Sequence, residues 1–172
     1  MSLLSLLGLS RPVVGEPATF DSDYGVNLLH QDKFDEAAQY YAKHLEKNAA
    51  AHYGLALSKF RKNPANLSVQ DLEGIAELLE TAIALAPDFS DAYFMCAMAY
   101  NQAAGLQLGS YNKNRVPVGR EAFQVPDARL AKAERYFGKA ISLNPAFSKI
   151  AEPEMNLNQR LKQFSSKLKA DL

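Results

Sequence analysis

The amino-acid sequence predicts an all-α fold in which helix hairpins stack one behind another. Apolar residues recur at helical spacing along most of the chain, and no strand pattern competes with them. In addition, the nine-residue segment 82–90 is repeated with substitutions at 140–148, and six of the nine positions are identical. A sequence in which the same helix end occurs twice is typical of a protein built from stacked copies of one structural unit.

Seven helices are predicted from this periodicity. Asp32 is the expected N-cap of the second helix, and Ser68 with Asp71 forms a capping-box pattern at the start of the fourth. Pro87 and Pro145 stand just past the ends of the fourth and sixth helices. The seven helices are expected to begin near residues 21, 33, 49, 68, 91, 127 and 153.

Two segments depart from the helical pattern. Residues 105–126 contain three glycines and two prolines, and we predict an irregular loop there, of a length that is often functional. Residues 1–17 are predicted to be a lead-in segment. Their Leu-rich start has no basic region before it, which favours a packing or loose terminus over a cleaved signal.

Charge and cysteine content narrow the function classes. Nineteen basic residues balance nineteen acidic ones, which argues against a nucleic-acid or membrane-surface role, since both need an excess of Lys and Arg. No apolar run approaches the length needed to span a bilayer. Cys96 is the only cysteine, so a disulfide framework is excluded and a reducing, cytoplasmic location is expected.

The sequence contains no recognisable catalytic or metal-binding pattern. His30, His44 and His52 lack the spacing of metal ligands. Carboxylate pairs such as Asp35 with Glu36 fall on predicted solvent faces of helices. Gly-rich phosphate loops and nucleophile motifs are absent from the sequence. The sequence therefore predicts a protein that is not an enzyme and uses no cofactor or metal.

The predicted hairpins place small residues where two helices approach and large apolar residues between them. The positions that agree in register are Gly25, Phe34, Ala37 and Tyr41, then Leu55, Ala56, Leu72, Leu79, Ala82 and Pro87, then Tyr93, Ala97, Tyr100, Ala133, Phe137, Ala140 and Pro145. This pattern resembles the tetratricopeptide repeat, a helix–turn–helix unit of about 34 residues.

The resemblance implies a right-handed α–α superhelix of stacked hairpins. Its three repeats would fill residues 18–150, and the third would be enlarged because the duplicated segments start 58 residues apart. The last helix would be the polar-faced cap that stacked repeats need. The implied boundaries are 18–51, 52–89 and 90–147 for the repeats, 105–126 for the insertion and 151–172 for the capping helix.

In the family that this chain resembles, the first helix of each repeat lines a concave groove that binds peptides or partner helices. The resemblance therefore implies non-catalytic protein–protein interaction, as an adaptor or scaffold, an assembly factor or a small chaperone. A mostly apolar lining suits an apolar or amphipathic segment. The implied groove residues are Val26, Leu29, His30, Tyr53, Leu57, Phe60, Arg61, Phe94, Met98, Asn101 and Gln102.

Two alternatives stay open at this point. The loop at 105–126 or the N-terminal segment could cover the groove in place of a partner. The groove or the last helix could instead pair with a second copy of the chain, which would make the protein a self-associating homo-oligomer. Capture of a chaperone's C-terminal carboxylate is not expected, because the positions that carry Lys and Asn in such family members bring little positive charge here. Those positions correspond to Ser22, Val26, Asp91 and Met95.

Overall fold

The computed structural model describes residues 19–114 and 119–171, and this part of the chain is helical with no strand. The predicted all-α class is therefore confirmed. Two short 3₁₀ helices, Pro64–Asn66 and Arg120–Phe123, accompany seven α-helices. The α-helices are α1 (Ser22–His30), α2 (Phe34–Ala42), α3 (Ala49–Lys62), α4 (Val69–Leu85), α5 (Ser90–Asn114), α6 (Gln124–Leu143) and α7 (Phe147–Ala170).

Each helix packs against the next one along the chain. In addition, α1 contacts α3, and α5 contacts α7. Buried apolar side chains form successive clusters, from Leu28 and Tyr41 at one end, through Leu79 and Cys96, to Phe137 and neighbouring residues at the other. The core is therefore a seam that runs along the series of helices.

The ring of Tyr41 in α2 packs directly against Gly25 of α1 and Gly54 of α3. A Cβ atom built on Gly25 in α1 would lie 2.5 Å from the Tyr41 ring, and one built on Gly54 in α3 would lie closer still. Contacts this short do not occur between real side chains, so the ring fits only because both positions are glycine. Gly25, predicted from sequence to be a site of close helix approach, makes that approach through Tyr41.

Helix ends are fixed by specific backbone and side-chain hydrogen bonds. The predicted capping box is confirmed, since Ser68 Oγ accepts from the Asp71 N–H at 3.1 Å and Asp71 Oδ2 accepts from the Ser68 N–H at 2.9 Å. Asp32, however, is not the N-cap of α2. That position belongs to Lys33, while Asp32 adopts a positive φ of 57° and closes the C-terminus of α1 in a Schellman arrangement.

The prediction of an irregular loop at 105–126 is wrong for most of its length. Helix α5 continues to Asn114, and α6 begins at Gln124. Two glycines inside a helix cost about 1 kcal/mol each, and burial of Leu108 in a cluster with Phe123 offsets this by about 1.5–3 kcal/mol. The segment therefore lengthens a helix pair; residues 115–118 lie outside the described part.

The last helix also begins earlier than the sequence predicts. Helix α7 starts at Phe147, and Pro153 lies inside it although an interior proline removes one backbone hydrogen bond. The first turn is held by the ring of Phe147, which stacks on Phe94 of α5 with centroids 5.0 Å apart, and by the buried Ala151. Tertiary packing thus allows α7 to continue through Pro153, although a proline normally lies at the start or just past the end of a helix.

Replacing Gly54 with alanine is expected to destabilise the protein by about 1–2 kcal/mol. The added methyl group overpacks the Tyr41 ring, which costs about 1–3 kcal/mol, and the better helix propensity of alanine returns only up to about 1 kcal/mol. The free energy of unfolding in urea measures the difference.

Gly74→Ala in α4 and Gly138→Ala in α6 are matched controls, because nothing lies within 4 Å of a Cβ built at either glycine. Both are expected to raise the free energy of unfolding by about 0.5–1 kcal/mol. Equal stability of Gly54→Ala and the two controls would show that the ring imposes no constraint.

Candidate binding pocket

Helices α1 and α3 and the start of α5 enclose an open pocket of about 290 Å³. Four of the predicted groove residues meet in it. The lining consists mostly of apolar side chains, with two carboxylates, one serine hydroxyl and two phenols: Phe20, Ser22, Asp23, Val26, Leu29, Tyr41, Ala50, Tyr53, Gly54, Leu57, Phe89 and Asp91.

The lining follows from helical spacing on two neighbouring helices. Val26 and Leu29 stand three residues apart on α1, and Tyr53 and Leu57 stand four apart on α3, so each pair shares one face of its helix. Gly54 adds no side chain to the space between them. The resulting pocket has an apolar wall on each side and the Tyr41 ring beside Gly54.

Phe89 closes the pocket from the turn before α5. Its ring lies 4.9 Å from the ring of Tyr53, centroid to centroid. Phe89 belongs to the duplicated segment, and the residue at the same place in the second copy is Phe147. The Phe147 ring lies at a similar distance from Phe94, 5.0 Å between centroids, but the two rings are stacked at 20°, whereas Phe89 and Tyr53 are tilted at 46°. The duplication was therefore the signal that could have identified Phe89 as a pocket residue from sequence.

Helix α7 covers the α5 part of the predicted groove. Phe94 is only 9% exposed and stacks on Phe147. The Asn101 amide donates to the Glu154 carbonyl oxygen at 2.9 Å, and its Oδ1 accepts from Asn158 at 2.7 Å. Met98 packs into the same apolar cluster. The covering element is thus α7, whereas the sequence suggested the 105–126 loop or the N-terminal segment, which lies outside the described residues.

The other predicted groove residues lie apart from the pocket. His30 is exposed, and Phe60 packs against the cluster between α3 and α5. Arg61 is exposed, with its guanidinium 5.6 Å from the centroid of the Phe34 ring. Gln102 donates from Nε2 to the Pro64 carbonyl oxygen at 3.3 Å. Of the predicted groove residues, only Val26, Leu29, Tyr53 and Leu57 therefore share one pocket.

The phenols of the pocket are neutral over the ordinary pH range. Burial raises the pKa of Tyr53, and the carboxylate of Asp91 raises it further, whereas Arg61 acts in the opposite direction. Burial likewise raises the pKa of Tyr41. A ligand in this pocket would meet hydroxyl groups and apolar carbon, with negative charge supplied by Asp23 and Asp91.

Apart from the pocket, a cluster of polar side chains around Glu80 joins α4, α5 and α6. Its Oε1 accepts from the hydroxyls of Tyr100 at 2.9 Å and Tyr136 at 3.1 Å, and it forms an ion pair with Lys132. Lys132 also donates to the Tyr100 hydroxyl at 3.0 Å. The ammonium lies over both tyrosine rings, 4.8 and 5.9 Å from their centroids. These contacts tie three helices together.

The pKa shifts in this cluster follow from the same contacts. Burial raises the pKa of Tyr100 to about 12. Burial alone would raise the pKa of Glu80 as well, but hydrogen bonds from Lys132 and Tyr100 hold it below its ordinary value. Each side chain of the cluster therefore keeps the charge state that it normally has at neutral pH. This suits a structural role, in which the cluster holds the three helices together.

Glu80→Gln is expected to destabilise the protein by about 1 kcal/mol at pH 7. The folded-state pKa of Glu80 lies below the unfolded value near 4.5, so its contribution is present above pH 4.5 and disappears as the pH falls through the folded-state pKa. Urea unfolding from pH 7 to pH 3 should show a shallower loss of stability for the variant. Glu77→Gln, an exposed carboxylate on the same helix, is the control and should leave the wild-type profile intact.

Comparisons with known proteins do not assign the chain to a family. No protein-family model matches it, and neither does any of the curated proteins compared with it. Within residues 19–114 and 119–171, no helix is long and apolar enough to cross a membrane. The same residues contain no group of three or more His, Cys, Asp or Glu side chains placed to hold a metal ion. The resemblance to the tetratricopeptide repeat stays a prediction from the sequence.

Proposed function

We propose that this protein is a non-catalytic interaction module of the tetratricopeptide-repeat type, which holds an apolar segment of a partner protein in the pocket between α1, α3 and the start of α5. The observation that carries the proposal is the pocket itself. It is open, and its walls come from Val26, Leu29, Tyr53 and Leu57, which are the positions implied for partner contact.

The order of helix contacts supports the repeat arrangement. In a stack of hairpins, the first helix of one unit packs on the first helix of the next, and here α1 contacts α3 and the proposed capping helix α7 contacts α5, whereas α3 and α5 make little direct contact. The repeated aromatic pair supports it further, because Phe89 meets Tyr53 and Phe147 meets Phe94 at nearly equal distances. Both pairs join the start of one helix to an aromatic two helices earlier.

The size of the pocket indicates what the partner contributes. A volume of about 290 Å³ is near the lower end of ligand pockets, which run from roughly 300 to 1,000 Å³. It accommodates one or two apolar side chains, and α7 leaves no continuous groove for a long helix. The partner would therefore present a short apolar segment, and the protein would serve as an adaptor, assembly factor or small chaperone in the cytoplasm.

The chemistry of the pocket favours binding over catalysis. A nucleophile needs an adjacent general base, and a general base needs a pKa near the working pH. The pocket offers two carboxylates and phenols whose pKa values are raised. Self-association remains an alternative from the sequence. The large apolar side chains that are exposed, Leu85, Leu106, Val125 and Ile150, each lie on a different helix.

Selection of a random nine-residue peptide library on the immobilised protein tests the proposal. Peptides with an apolar anchor are expected to be enriched, and Ala50→Leu is expected to weaken them at least about tenfold. Ala50 lines the pocket, so the larger side chain fills the space that the anchor uses. Fluorescence anisotropy of the labelled peptides gives the dissociation constants.

Ala84→Leu is the matched control, because Ala84 is an exposed alanine of α4 that does not line the pocket. It should leave the affinity unchanged. A selection that enriches no peptide, or peptides whose affinity is the same for Ala50→Leu as for the wild type, would refute the pocket as the binding site.

A further inference from the structure

The pocket has acidic side chains from two helices among its lining, and we infer that its partner carries a Lys or Arg next to the apolar anchor. Asp23 comes from the first turn of α1, and Asp91 comes from the first turn of α5. This inference rests on the function proposed above and adds the charge of the ligand to it.

Neither carboxylate is neutralised by the described part of the chain. Asp91 accepts a hydrogen bond from the Ser90 hydroxyl at 3.2 Å, and no Lys or Arg of residues 19–114 and 119–171 forms an ion pair with Asp23 or Asp91. Elsewhere in the structure carboxylates do have such partners, for example Asp35 with Lys62 and Asp127 with Lys169. Within the described residues, the two pocket carboxylates therefore have no basic partner, and a Lys or Arg of a partner protein can pair with them.

The field of Asp91 reaches into the pocket. After burial, the Asp91 carboxylate is the largest cause that raises the pKa of Tyr53, whose ring forms part of the wall. Arg61 offsets part of this effect, but its guanidinium is held over the Phe34 ring and outside the pocket lining. A basic side chain at the mouth would gain from two carboxylates, and an acidic one would be repelled.

A purely structural role for these residues makes a different prediction. Acidic side chains in the first turn of a helix stabilise it through the helix dipole, and this effect is independent of any ligand. Under that explanation, neutralising Asp23 or Asp91 lowers helix stability and leaves peptide preference unchanged. Selectivity for charge in the ligand therefore separates the two explanations.

The composition of peptides selected from the nine-residue library is the first measurement. Peptides enriched on the wild type should carry Lys or Arg within about three residues of the apolar anchor, at the expense of Asp and Glu. Selection on the Asp23→Asn, Asp91→Asn double variant should show no such charge preference. Each single variant should weaken a basic peptide by about two- to fivefold, which is the range for exposed ion pairs.

Salt dependence on the wild type gives a second readout that needs no variant. Raising NaCl from about 0.05 to about 0.5 M should weaken basic peptides and leave a Gln-for-Lys version of the same peptide nearly unchanged. Glu36→Gln is the matched control, because Glu36 is an exposed first-turn carboxylate of α2 that does not line the pocket. It should leave both affinity and charge preference at wild-type values.

Each other outcome overturns the inference. Enriched peptides with no excess of Lys or Arg, or with an excess that survives in the double variant, contradict it while leaving the proposed pocket intact. Failure to enrich any peptide contradicts both. Deleting residues 1–18 should leave peptide affinity unchanged, and an increase of tenfold or more would assign the pocket to the chain's own N-terminal residues instead of a partner.

Discussion

The fit of the Tyr41 ring between Gly25 and Gly54 is the contact on which the pocket depends. Both helices pack so closely against the ring that a Cβ atom at either glycine would overlap it. The ring and Gly54 are also part of the pocket lining. The spacing of the two walls is therefore fixed by core packing before any ligand arrives, and a ligand would pay little to organise its site.

The duplicated segment shows how one repeated contact can give two different outcomes. Phe89 and Phe147 each contact an aromatic ring of the helix two positions earlier, at nearly equal centroid distances of 4.9 and 5.0 Å. After Phe147, helix α7 runs along α5. Phe147 contacts Phe94 near the start of both helices, and Asn158 contacts Asn101 further along both of them. Beyond Phe89 the equivalent surface of α3 stays partly uncovered. The repeat thus builds one closed surface and one open pocket.

The sequence predicts the helices well wherever their apolar faces repeat, and it fails where tertiary contacts outweigh local preference. Periodicity and turn residues are enough to identify α3, α4 and the Ser68 cap. Local propensity alone predicts that the helices break at Gly105, Gly109 and Pro153, yet all three residues lie within helices. The same limit applies to the site. The resemblance predicts Val26, Tyr53, Phe94 and Asn101 as lining residues of one groove, and only three-dimensional packing shows that Phe94 and Asn101 are covered by α7 while Val26 and Tyr53 line a pocket.

The packing of α7 on α5 and α6 explains why this surface of α5 is covered. The buried residues of α7 are Ala151, Asn158 and Ser165, spaced seven apart on one stripe, and two of them are polar. Asn158 donates to Asn101 and to the Leu130 carbonyl oxygen, and Ser165 donates to Asp127 at 2.6 Å. The buried Asn158 amide nitrogen and Ser165 hydroxyl find specific partners and so favour one register, because a shift of α7 would leave these donors unpaired. The helix is thereby set in one position over α5 and α6, where it covers Phe94 and Asn101, whereas the pocket beside α1 and α3 is open.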